Sequence, residues 1–313
     1  MMDDIDLRAF QLLFTNGRLT YRELGNELGI NTPIVHRRVH DLIDQGVFTK
    51  FYANISLGYL NAVTAQIAGV SRCKPLGPQI PTLLKKDFVE KVFLFGSNLI
   101  TVSMILPRYE DMGMAVEHIC NTLKLQDFMV LLPTTVSTGN VPIYTTYTGD
   151  KELTALDYKI IYALHDDSRR PLIEVADKLQ VSVKTVKSRL ERMMKTGAIE
   201  YGAAWVPERS SGIPSIVMIE FKPGVDKETF IATLNEKYGS KVFLATQYYN
   251  RPDLVVANCW FPSMGDHVEF VHGVEAMDVV KAVDSRIIQS SLFCETWRDR
   301  VLRERAGAGI RTC

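Results

Sequence analysis

The chain has 313 residues, with 36 lysines and arginines balanced by 36 aspartates and glutamates and a pI near 7.0. Neutrality excludes a general affinity for polyanions, so any contact with nucleic acid must come from local patches. No apolar run approaches the roughly 20 residues that span a bilayer, and Met1–Asn16 is acidic where a signal peptide would be basic; a cytoplasmic protein without a membrane partner is predicted.

In chain order, the first expected element is a helix from Asp4 to about Asn16, with Ile5, Ala9, Leu12 and Leu13 on one stripe. Thr20-Tyr-Arg-Glu23 has the form of a capping box and opens a second helix that ends near Leu28-Gly29. Asn31 caps a third helix, Pro33 fits its first turn and Gly46 supplies the stop. The period then changes to two. Strands are expected at Leu60–Val70, Val92–Gly96, Leu99–Leu106 and Phe128–Val136, with helices at Gln79–Phe88 and Tyr109–Leu123. That order, β-α-β-β-α-β, describes a ferredoxin-like sandwich. Thr145–Lys151, polar and containing Gly149, reads as a linker.

The plan then repeats. Ile5–Phe48 overlays Leu156–Ile199 without a gap, and the eight identities include Asp6 with Asp157, Arg18 with Arg169, Arg38 with Arg189 and Gly46 with Gly197. Apolar positions correspond too: Phe10 with Ile161, Leu24 with Val175 and Val39 with Leu190. A second sandwich follows, with strands at Ile213–Lys222, Lys241–Tyr249, Leu254–Phe261 and Val279–Gln289 and helices at Asp226–Tyr238 and Ser263–Glu275. The tail Glu295–Arg305 reads as an amphipathic helix, either docked or solvated. A chain of this length fits four small modules with modest cores. Two fused halves can pair within one chain as a pseudo-dimer, or each with its counterpart in a second chain as a homodimer.

Three short helices with a tight turn before the third make a helix-turn-helix, and the faces of the third helix point to double-stranded DNA. Val35, Val39 and Leu42 face the core in the first copy, and Val186, Leu190 and Met193 in the second. The opposite faces carry Thr32, His36, Arg37 and His40, and Lys184, Thr185, Lys187 and Ser188, which suit base edges and phosphates in a major groove. Arg38 and Arg189, beside the buried stripe, are expected at phosphate. Ser182–Ile199 has five cations against Glu191 alone, whereas Asn31–Phe48 has two arginines against Asp41 and Asp44. The second head is therefore expected to bind more strongly.

The run Ile5-Asp6, Gly17-Arg18, Glu23-Leu24, Val35-x-x-Arg38-Val39-x-x-Leu42 and Gly46-Val47 resembles the head of the leucine-responsive regulatory protein (Lrp/AsnC) family, and Leu156-Asp157 to Gly197-x-Ile199 resembles it again. The resemblance implies an α+β chain of two fused subunits: winged helix-turn-helix modules over residues 1–56 and 150–207, and ferredoxin-like sensor domains over 57–146 and 208–313. It implies a transcription regulator of promoter DNA whose sheet domains oligomerise and sense a small effector, an amino acid or related metabolite. The effector would lie near the turns Gly96-Ser97-Asn98 and Asn250-Arg251-Pro252-Asp253. The architecture also resembles the siroheme decarboxylase branch, with Arg170-Pro171-Leu172 and Gln247–Arg251 as reminders, but that branch's histidine motif is absent from both turns.

Other chemistry has little support. His36 and His40, four apart, are read as DNA-facing rather than metal-binding. Cys73, Cys120, Cys259, Cys294 and Cys313 form no C-x-x-C pair and are expected as reduced thiols, Cys313 exposed at the terminus. No phosphate loop, nucleophile elbow or dinucleotide fingerprint occurs. No catalytic residue, metal or cofactor is expected.

Overall fold

The structure, a computed structural model, describes residues 2–138, 141–142, 147–149 and 152–308. The first half opens with helices α1 (Asp4–Thr15), α2 (Tyr21–Leu28) and α3 (Thr32–Asp44). Each begins on a side chain that accepts orphan amides: Asp3, boxed with Asp6; Thr20, boxed with Glu23; and Asn31. Gly29 and Gly46 take the left-handed conformation that ends α2 and the α3 turn. Strand β1 (Phe48–Ile55) leads to β2 (Val63–Ser71), α4 (Ile80–Leu84), β3 (Val89–Phe95), β4 (Leu99–Leu106), α5 (Met112–Leu123), β5 (Leu125–Leu131), β6 (Pro133–Thr138) and the short β7 (Val141–Pro142). The helix expected over Gln79–Phe88 shortens to α4, because Lys85-Lys86-Asp87 offers nothing to bury after Leu84.

The second half repeats the series: α6 (Ala155–Ala163), α7 (Leu172–Leu179), α8 (Val183–Lys195), β8 (Ile199–Trp205), β9 (Ile213–Phe221), α9 (Lys227–Tyr238), β10 (Val242–Tyr248), β11 (Leu254–Phe261), α10 (Met264–Glu275) and β12 (Val280–Phe293). It closes with α11 (Trp297–Arg305). The linker read at Thr145–Lys151 lies outside the described residues except for 147–149.

The two sandwiches exchange their last strands. β12 runs along β9 from Val280 to Ile287, then leaves its own half and pairs with β3 from Ile288 to Phe293. The first half reciprocates: β5 pairs with its own β2, and after the break at Leu132 the continuing β6 pairs with β10. The ten strands therefore run β5-β2-β4-β3-β12-β9-β11-β10-β6-β7. Of the two arrangements open to fused halves, the chain adopts the intramolecular pseudo-dimer. Phe95, Leu131, Ile216, Met218, Tyr248 and Val256 form the core between the facing sheets, while α4 with α5 and α9 with α10 cover the outer faces.

The heads are joined in the same way. A lone strand leaves its backbone groups unpaired, and β1 and β8 meet that need in each other, antiparallel from Phe51 opposite Ala203 to Ile55 opposite Ile199. Each head contributes one strand of a shared wing. Each head core also takes in residues of the other half: Trp205, Phe243 and Trp260 beside Phe10 and Phe48, and Ala53 and Ile55 beside Ile160 and Leu190. The tail is docked, not solvated. Trp297 Nε1 donates to the Ile105 carbonyl at 2.9 Å, Leu302 is buried in the second head, and Arg298 pairs with Glu200 at 3.0 Å.

Candidate nucleic-acid interface

The two recognition helices divide their faces as their spacing predicts. Val35, Val39 and Leu42 on α3 and Val186, Leu190 and Met193 on α8 are buried. Thr32, His36, Arg37 and His40 are exposed on α3, as are Lys184, Lys187 and Ser188 on α8. Thr185 is half-buried, and its hydroxyl lies 2.8 Å from the Ser182 hydroxyl that caps α8, so it serves the helix end as much as the surface. The rings of His36 and His40 lie 4.2 Å apart, tilted by 32°, and both lie against Tyr21 of α2. Among the described residues no group of three potential metal ligands includes them.

Arg38 and Arg189 depart from expectation. Arg38 Nη1 lies 2.9 Å from carboxylate oxygens of both Asp3 and Asp6, the capping box of α1. Arg189 Nη1 donates to Asp157 at 3.0 Å and to Thr154 at 2.9 Å, the capping box of α6. In both copies the recognition helix is thus clamped to the start of the first helix, and these arginines, with side chains 26% and 31% exposed, are engaged in positioning it. Arg192 adds a second bond to Asp157, at 2.6 Å. Burial raises the Asp157 carboxyl, but bonds from Thr154, Arg192 and Arg189 outweigh it and hold the group below the usual carboxylate range. At Asp6 burial wins over Arg38 and the Asp3 amide, and the carboxyl is raised.

The clamp changes the electrostatic comparison of the heads. Arg189 and Arg192 are matched to Asp157, and Lys187 is 3.9 Å from Glu191, which leaves Lys184 and Lys195 without an ion-pair partner among the described residues of α8. Arg37 has none on α3. The second head's advantage is therefore smaller than five cations against one suggests.

Arg18 and Arg169 have a structural role that neither their identity in the overlay nor their place in the family resemblance discloses. Arg18 Nη1 donates to the carbonyl oxygens of Ser168 and Arg170 in the second head. Arg169 Nη1 donates to those of Gly17 and Leu19 in the first, each at 2.9 Å. Arg169 also sits 4.7 Å over the ring of Tyr21, against which both histidines lie. This reciprocal clasp and the β1–β8 pair fix one recognition helix relative to the other.

The effector turns are engaged internally. Asn250 Nδ2 donates to the Val130 carbonyl at 2.7 Å and its Oδ1 accepts from Leu132 N–H at 2.9 Å, so it caps the β5–β6 crossover. Arg251 is held by Asp253 at 2.8 Å and Glu220 at 3.0 Å. Gly96 and Asn98 lie at the other crossover, where Phe95 faces Ile288, and the side chain of Ser97 is outside the described residues. No hydrogen bond among the described residues joins one turn to the other. Cys73 and Cys259 are buried free thiols, Cys120 and Cys294 half-buried ones, and Cys313 lies outside the described residues. Among the described residues no helix is long and apolar enough to cross a membrane.

A family model described as the AsnC-type helix-turn-helix domain matches twice, at residues 2–43 and 153–194. An uncharacterized HTH-type transcriptional regulator of Pyrococcus furiosus is 41% identical over 125 residues, 39% of this chain and 83% of the relative. The HTH-type transcriptional regulator Ptr1 of Methanocaldococcus jannaschii is 39% identical over 70 residues, 22% of this chain and 47% of Ptr1. The chain spans about half the length of Ptr1 and of the Bacillus subtilis regulator YezC, also among the curated relatives it matches. A crystal structure of the siroheme decarboxylase NirDL is similar in fold over 96% of this chain and 98% of that one, with a TM-score of 0.58 and 13% identity. With two AsnC-type heads, two strand-exchanged ferredoxin-like halves and the Pyrococcus regulator matched over most of its length, the chain belongs to the Lrp/AsnC family of HTH-type transcriptional regulators, in a tandem form.

Proposed function

We propose that the protein is a sequence-specific regulator of promoter DNA, responsive to a small metabolite, in which α3 and α8 of a single chain enter successive major-groove segments. The observation that carries this reading is the clasp of Arg18 and Arg169. It holds two exposed recognition faces in one fixed relation, as a two-headed reader of spaced half-sites requires. Base edges fall to Thr32, His36, His40 and Ser188, and phosphates to Arg37, Lys184 and Lys187. The modules are taken as residues 1–56, 57–146, 150–207 and 208–313.

A mobility shift on the protein's own upstream DNA at two salt concentrations tests the reading. The slope of log affinity against log salt should flatten by about 0.9 for each phosphate contact removed, hence by up to about 1.8 in Lys184→Ala/Lys187→Ala. A slope unchanged by that double substitution removes α8 from the interface. The full-length likeness to NirDL favours one second reading, a tetrapyrrole decarboxylase, and it rests on fold alone. Such chemistry needs a placed proton donor and cations for the propionates, whereas Arg251 is already taken up by Asp253 and Glu220. A Soret-region band on adding siroheme, without any DNA shift, would exchange the two readings.

A further inference from the structure

The tip of α8 combines an open apolar side chain with hydroxyls that are already engaged. Ser182 Oγ accepts from the Thr185 amide at 3.0 Å, and the two hydroxyls lie 2.8 Å apart, so both serve the helix cap. Between them Val183, the first residue of the helix, is 41% exposed. Met194, the other exposed apolar side chain of α8, lies at the opposite end, away from the half of a recognition helix that enters a groove. Every Cα–Cβ bond of a helix tilts toward its N-terminus, so the Val183 isopropyl group projects toward the front of the proposed reading face.

The repeat sets Val183 in a row with a counterpart in the first head. In the overlay of the two heads Val183 corresponds to Thr32, Lys187 to His36 and Glu191 to His40. Positions four apart share one face of a helix, so Val183 stands in the row that on α3 is proposed to meet base edges. The chemistry of the two rows differs. Lys187 lies 3.9 Å from Glu191, and the side chain of Val183 has neither donor nor acceptor. It can therefore discriminate only through apolar contact. In the major groove adenine, guanine and cytosine present polar edges, whereas thymine adds a methyl group.

We propose that Val183 is a specificity-determining residue of the second head, reading the 5-methyl group of a thymine in its half-site by apolar contact. The inference rests on the regulator reading and deepens it by naming one base that α8 selects. Thr32 carries a methyl group at the same position, but beside a hydroxyl that can bond to several base edges. The demand for thymine is therefore stricter in the half-site of the second head.

Deoxyuridine supplies the test, because it keeps every hydrogen-bonding group of thymine and lacks only the methyl. Each thymine of the protein's own upstream DNA is replaced in turn, and mobility shifts are compared for the parent chain, Val183→Ala and Lys184→Ala. One replacement should weaken binding of the parent about fourfold, as for loss of one buried methyl-sized group, and should leave Val183→Ala unaffected. Lys184→Ala should bind both DNAs more weakly yet keep that difference, because its cation acts on phosphate. Val183 is exposed and alanine is the better helix former, so the urea midpoint of Val183→Ala should not fall. A thymine series without effect on the parent, or an effect that persists in full in Val183→Ala, overturns the role of Val183 while the regulator reading stands. Absence of any shift on unmodified DNA overturns the regulator reading, and this inference with it.

Discussion

Asp157 shows how a single buried carboxylate governs the proposed DNA-reading face of α8 without touching it. It is fully buried and accepts from Thr154, Arg189 and Arg192, so α8 is oriented by charges that also cancel two of its own cations. Asp157→Asn strands both guanidiniums and should cost about 2–4 kcal/mol of stability, read from urea midpoints. Lys184→Ala, on the exposed face, should change stability by no more than about 0.5 kcal/mol while weakening DNA binding. Similar stability losses in the two variants would contradict the division between positioning and contact residues. His165 yields a pH prediction. Burial and Lys50 lower its pKa, and Asp299, the Ala53 carbonyl that its Nδ1 meets at 3.1 Å, and Asp166 oppose them only in part. The unfolded chain therefore takes up this proton at higher pH than the folded one. The stabilisation is complete above the unfolded value of about 6.5 and is lost as pH falls below it toward the folded value, by up to about 1.4 kcal/mol per pH unit. In His165→Gln the fall in urea midpoint between pH 7 and 5 should be shallower; an unaltered slope would assign the titration to other groups.

At the scale of elements, the reciprocal clasp is the device most open to test. Arg18 and Arg169 each bond to two carbonyls of the opposite head, and hydrogen bonds to charged groups contribute about 1.5–3 kcal/mol. Arg18→Ala/Arg169→Ala should therefore loosen the relation of the heads. Affinity for a two-half-site operator should fall at least tenfold, while affinity for an isolated half-site stays within about twofold; equal losses on both DNAs would show that the arginines serve each head alone. Local signals made the helices readable: Thr20 and Glu23 form the box their spacing promised, and Gly46 and Gly197 stop the recognition helices. The order of strands was legible for the same reason, since period and turn residues are local. Partnership across the halves was not. Phe128–Val136 reads as one strand, yet Leu132 breaks it so that its ends serve different sheets, and β1 and β8, at which no strand is expected from the sequence, find each other across about 150 residues. The candidate interface divided likewise. Exposure of Thr32, His36, Lys184 and Lys187 followed from helical spacing, whereas the capture of Arg189 by Asp157, 32 residues away, depends on how α6 and α8 cross.

The whole molecule carries the symmetry of a dimer in one covalent chain, and the covalent link sets what its operator must be. Each half lends its last strand to the other, and each head core includes the other half's residues, so neither half buries its apolar surface alone. Linkage supplies the partner at high effective concentration, and this internal pairing needs no second chain. The two heads are unlike: α3 offers the adjoining rings of His36 and His40 and Arg37, whereas α8 offers Lys184, Lys187 and Ser188. Operator symmetry mirrors that of the protein, so the site should be two different half-sites about one helical turn apart, in a fixed order. One 35.3 kDa chain should suffice for the full footprint, which native mass spectrometry of the DNA complex can read. Exchanging the two half-sites leaves their sequence content and spacing intact but offers each head the wrong bases. Each mismatched base pair costs about 1–3 kcal/mol, so exchange should weaken binding by about a hundredfold or more; a palindrome made from either half-site should lie between the two. Equal affinity for the original and exchanged orders would mean that only one head reads sequence, and two chains per footprint would mean that the heads of one molecule do not share a site.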